Sequence, residues 1–91
     1  MIRDMFTVYD SKAQAFGNPF FMENKSTAIR AFTFAANDKN SDIGRYPSDF
    51  QLYYLGQFND EDASLTIINP AAIAFALALV ERNQEVLEDV V

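Results

Sequence analysis

Apolar and polar side chains alternate from Asp4 to Asp10, with Phe6 and Val8 on one side and Thr7 and Tyr9 on the other. These β-branched and aromatic types predict a first strand, which Asp10-Ser11 ends. Gly17-Asn18-Pro19 is loop chemistry, and the apolar run Phe20-Phe21-Met22 predicts a short extended segment packed beside the first strand. The period then changes. Ala28, Ile29, Phe32, Ala35 and Ala36 recur at helical spacing, Asn24 or Ser26 can cap the first turn, and Asn37-Asp38 closes the helix. Phe34 falls nearly opposite that stripe.

Residues 37–49 collect turn formers, and Pro47 disfavours a helical Tyr46, so they predict a long loop with room for one helical turn. From Phe50 to Phe58 the pattern alternates again. Phe50, Leu52, Tyr54 and Phe58 share one face, and Gln51, Tyr53, Leu55 and Gln57 the other. Gly56 interrupts the first set, which predicts a bulge or a close neighbour. The polar turn Asn59-Asp60-Glu61-Asp62 leads into Ala63–Ile68, another strand of matching length, and the two strands predict an antiparallel hairpin.

Asn69-Pro70 reads as a helix start, Asn as the cap and Pro preset for the first helical position. A last helix is expected over residues 70–80, with Ile73, Ala76, Leu77 and Val80 as its main stripe and Phe75 and Leu79 off it. The acidic residues 81–91 are expected to fray. The fold class is therefore α+β: a small three- to four-stranded mixed sheet with two helices on one face, in the order β-(β)-α-β-β-α, with a parallel crossover through the first helix. Such a sheet leaves apolar area uncovered, which predicts a homodimer.

A chain of 91 residues suits one domain spanning 1–91, since this length buries about 60 to 65% of the unfolded surface. It has no cysteine, so disulfides and thiolate metal sites are excluded and a cytosolic setting fits. Met1-Ile2-Arg3-Asp4-Met5 lacks the basic-then-apolar layout of a signal peptide. The apolar stretch Pro70–Val80 is about half the roughly 20 residues that a membrane helix needs. Neither export nor a membrane partner is expected.

The net charge of −6 opposes non-specific nucleic-acid binding, which depends on cations releasing counterions from phosphate. Its distribution is uneven. Residues 1–45 hold Arg3, Lys12, Lys25, Arg30, Lys39 and Arg45 against five acids, a balance of +1, whereas residues 46–91 hold Arg82 against eight acids, a balance of −7. Any nucleic-acid face must come from the first half.

Without His or Cys the chain lacks the commonest general base, the best nucleophile and the usual transition-metal ligands. Asp60-Glu61-Asp62 lacks the spacing of a calcium loop and reads as a solvated turn. The three glycines, Gly17, Gly44 and Gly56, are isolated and form no phosphate loop. No catalytic residue, metal, cofactor or small-molecule substrate is expected.

Two binding surfaces remain. In the first, Lys12, Lys25, Arg30 and Arg45 supply cations and Phe20, Phe21 or Tyr53 a stacking ring, the usual pairing for single-stranded nucleic acid. The alternative for these residues is a core of rings and a solvated set of cations. In the second, Phe34, Phe75 and Leu79 form a protein interface rimmed by the acidic tail, or else pack internally against the long loop.

Five strings of residues add a resemblance: Tyr9-Asp10-Ser11-Lys12-Ala13, Asn18-Pro19-Phe20-Phe21, Ala28-Ile29-Arg30-Ala31-Phe32, Tyr46-Pro47-Ser48-Asp49-Phe50 and Leu55-Gly56-Gln57-Phe58-Asn59-Asp60. In this order they resemble the small non-structural protein of gokushoviruses and related microviruses, phages with single-stranded DNA genomes. The resemblance implies a non-enzymatic, non-virion protein of the host cytoplasm, involved in viral DNA replication and the switch to packaging. Its implied partners are viral single-stranded DNA or viral or host replication proteins. The alternative is a dimeric interaction adaptor or scaffold-like factor with no DNA affinity.

Overall fold

The computed structural model describes residues 1–81. It is mainly β, and the expected α+β arrangement is corrected in three respects. All strand pairings are antiparallel, the sheet has five strands, and one long helix takes the place of two. The strands are β1 (Ile2–Asp10), β2 (Ala15–Phe16), β3 (Phe20–Met22), β4 (Phe50–Asn59) and β5 (Ser64–Phe75). Helix α1 (Lys25–Ala36) lies between β3 and β4, followed by one turn, α2 (Asp42–Arg45), and a 3-10 turn, Pro47–Asp49; a last turn, α3 (Ala76–Leu79), follows β5.

β1 is central. One of its edges pairs with β4 along its whole length, and the other is divided between β2 at Tyr9-Asp10 and β3 at Asp4–Phe6. Because β3 and β4 are both antiparallel to β1, they are parallel to each other with β1 between them. The expected crossover through α1 is thus present, but it starts from β3.

Helix α1 begins as its sequence dictates. Asn24 Oδ1 accepts from Thr27 N–H at 2.8 Å and Thr27 Oγ1 from Asn24 N–H at 3.3 Å, a reciprocal capping box. The predicted stripe faces the sheet: Ala28, Phe32 and Ala36 are buried against Phe6 and Leu52, both fully excluded from solvent, with Ala74 and Ala76 completing the core. Burying Phe6, Phe32 and Leu52 stabilises by roughly 1.5–3 kcal/mol each.

The largest departure falls at residues 70–75, where a strand replaces the expected helix. Tyr54 pairs with Ala71, Tyr53 with Ala72, Leu52 with Ala74 and Gln51 with Phe75, so the first half of β4 recruits this segment as its partner. Pro70 does not prevent this. Register jumps from Tyr54–Ala71 to Gly56–Ile67, which leaves Ile68-Asn69-Pro70 in an irregular stretch where the missing proline N–H breaks no ladder bond.

A second irregularity corrects the faces of β4. Met5 pairs with Gly56 and Phe6 with Tyr54, so Leu55 is an extra residue and the alternation reverses beyond it. Phe58 therefore leaves the side of Phe50, Leu52 and Tyr54 and meets Phe21, with ring centroids 5.6 Å apart. Gln57 joins the side of Tyr54, and both donate to the Asp4 carboxylate, Gln57 at 3.3 Å.

The chain after β5 is tied back to α1. Asn37 Nδ2 donates to the Leu79 carbonyl at 3.0 Å, and Asn37 Oδ1 accepts from Glu81 N–H at 2.7 Å. Glu81, the first residue of the expected frayed end, is thus held; residues 82–91 of that end lie outside the described residues.

Candidate functional site

The flank of α1 that does not meet the sheet presents Thr27, Arg30, Ala31 and Phe34. Opposite it runs the edge made by β3 and the first residues of β1, with Phe21, Met22, Arg3 and Met1. Between them lies an open groove of about 770 Å³. Its origin is local: β3 covers β1 only from Asp4 to Phe6, so the edge of Met1–Arg3 is left open below α1.

The rings and cations of this groove differ in their freedom. Phe34 is 75% exposed and Phe21 45%. Arg30 makes no ion pair among the described residues, whereas Arg3 lies 3.5 Å from the Asp60 carboxylate. Asp60 also accepts from the Met1 amino group at 2.7 Å, a bond that holds the Asp60 carboxyl below the usual range. These are surface pairs and contribute little to stability, but they bring the β4–β5 turn beside the groove. Glu23 adds a carboxylate to the wall.

The seven residues expected at a nucleic-acid face are divided by the fold. Arg30 and Phe21 both line the groove, and the Phe21 ring also packs on Phe58. Phe20 is half-buried and stacks on Phe6 at 5.9 Å, so it belongs to the core. Lys25, at the start of α1, sits 4.3 Å from the centre of the Tyr54 ring. Lys12 lies in the β1–β2 turn and faces Asp10, Asp42 and Asp49 around a second depression of about 420 Å³. Arg45 pairs with Asp42 on the same turn. Tyr53 is on the far side of the sheet, where it meets Phe16 edge-on at 5.1 Å.

The expected protein surface is also divided. Phe34 lies in the groove, Leu79 is half-buried against the core, and Phe75 is 53% exposed where β5 pairs with Gln51. Two groove residues were missed by sequence reasoning as site residues, or placed elsewhere: Arg3, whose signal was only its membership of the basic first half, and Phe34, whose signal was its position opposite the core stripe.

Within the sheet, the titration of Tyr54 is shifted. Partial burial, then its hydrogen bond to Asp4 Oδ1 at 3.1 Å and the negative charge there, raise its phenol above the ordinary value. Among the described residues no cluster of carboxylates is arranged to hold a metal ion, and no helix is long and apolar enough to cross a membrane.

Together these features define a small, mainly β protein that carries an open groove of guanidiniums and exposed rings. Residues 3–79 match the family model described as Phage ORF5 protein. The chain is 36% identical over 93 residues to Protein ORF5 of Chlamydia phage 1, covering 89% of this chain and 95% of that protein. No solved structure matches. The chain belongs to the phage ORF5 protein family, and the resemblance to small gokushovirus and microvirus proteins is thereby established.

Proposed function

We propose that this phage protein acts by binding, without catalysis, in the replication of a single-stranded DNA genome and its switch to packaging. The groove between α1 and the β3 edge is the contact surface, and single-stranded DNA is its ligand. One observation carries this reading: Arg30 and Phe21, both expected at such a face, share the groove with Arg3 and Phe34. Guanidinium groups suit phosphate oxygens through paired donors, and stacking of a base on a ring contributes about 1–3 kcal/mol without regard to sequence. A protein of net charge −6 gains little from long-range attraction, so the contact is local and rests largely on the rings. The setting is the host cytoplasm, outside the mature virion.

A second reading is favoured by that same acidity and by the exposure of Phe34: the groove takes a replication protein and has no affinity for DNA. Titration of a labelled oligonucleotide at low salt separates the two, because a flat curve removes the DNA ligand.

A further inference from the structure

We infer that β5 is a self-association edge: Ser64–Ile68 pairs antiparallel with the same segment of a second copy, about a two-fold axis at Thr66. In the sheet order β5 is terminal, and its outer edge is unpaired among the described residues. An exposed row of backbone donors and acceptors is a template for another strand, and soluble proteins usually blunt it with charge, proline or a cover. Here the protection is missing. The sequence from Ala63 to Val80 contains no charged residue, and Pro70 lies beyond the regular stretch that pairs with Gly56–Asn59.

The occupant follows from the pattern on the strand. Leu65 and Ile67 are 57 and 63% exposed and lie on the same side of β5, each paired to a residue of the alternation that holds Gly56 and Phe58. An axis at Thr66 sets Leu65 of each copy opposite Ile67 of the other, so one strand supplies both halves of two identical apolar pairs.

Charge selects the same arrangement. Two chains of net charge −6 repel, and the uncharged strand is where they can approach. In the antiparallel pairing the acidic turns Asp60-Glu61-Asp62 point to opposite ends, roughly 30 Å apart at ~3.3 Å per residue, well beyond the screening length of about 8–10 Å. The two sheets become continuous across the axis. A contact of five residues per copy is small beside the roughly 20–30 residues a side of a standard interface, so the dimer dissociates on dilution.

The absence of cysteine makes a single introduced thiol a clean probe. Cα atoms facing each other across antiparallel strands lie about 4.5–5.5 Å apart, within reach of a disulfide. The test is mass by light scattering across a dilution series, with oxidation of Thr66→Cys and, as a control on the same strand, Ala71→Cys. The expected result is a concentration-dependent dimer for the unmodified chain, a disulfide-linked dimer for Thr66→Cys, none for Ala71→Cys, and a folded monomer for Ile67→Lys. An unmodified chain that is monomeric throughout overturns the proposal. So does a dimer that persists in Ile67→Lys, or one that crosslinks through residue 71 and not 66.

Discussion

A Cβ on Gly56 would collide with the backbone carbonyl of Thr66 on the neighbouring strand, and Gly56 has φ +139°, a region that L side chains rarely adopt. Strain and collision act together. Gly56→Ala is expected to lower stability by about 3 kcal/mol or more, beyond the ordinary range of point substitutions. Urea unfolding measures this, and a loss below about 1 kcal/mol would mean that β4 and β5 separate there at little cost.

Asn37 bonds the last described turn to the end of α1 through both ends of its amide. Asn37→Ala removes those bonds and the Nδ2 donation to Thr33, at an expected cost of about 1–2 kcal/mol. Hydrogen exchange at Glu81 should accelerate while Phe6 and Leu52 stay protected. Unchanged exchange at Glu81 would show that packing of α3, not Asn37, holds the segment.

Tyr54 predicts a loss of stability in alkali. Its folded phenol is raised above the ordinary value of 10.0, chiefly by burial and then by Asp4, so the folded state keeps the proton more tightly than the unfolded chain does. That contribution is complete below pH 10.0 and is lost as pH rises through the raised value. Tyr54→Phe cannot titrate, so melting temperatures of the two proteins should diverge above this range, with the unmodified protein falling faster. Parallel curves would place the phenol in ordinary solvent.

Much of the fold could be read from local chemistry. Asn24 and the Ala28, Phe32, Ala36 stripe fix α1, and the turn around Asn59–Asp62 fixes the β4–β5 hairpin. Two features could not be read locally. Ala71–Val80 is apolar at every position and fits a helix or a strand; it becomes a strand because Gln51–Tyr54 need a partner, a demand made from across the sheet. The reversal at Leu55 is set by a two-sided pairing, with Met5 on one neighbour and Ile67 on the other, although Gly56 did signal a bulge. At the groove, Arg30 was legible because it lies off the core stripe. Arg3 and Phe21 come beside it only through the pairing of β1 with β3, which spacing along the chain does not encode.

The groove is tested most directly by titrating a labelled single-stranded oligonucleotide at low and rising salt, with Arg30→Ala and Phe34→Ala alongside. Saturable binding is expected, weakened about 5- to 30-fold by Arg30→Ala or Phe34→Ala, as suits the loss of one charged or stacked contact of about 1–2 kcal/mol. Its logarithm should fall against the logarithm of salt with a shallow slope of about −1.4, the value for two phosphates on a single strand. A flat curve for the unmodified protein at low salt, or equal affinity in all three proteins, contradicts the assignment of the groove to DNA.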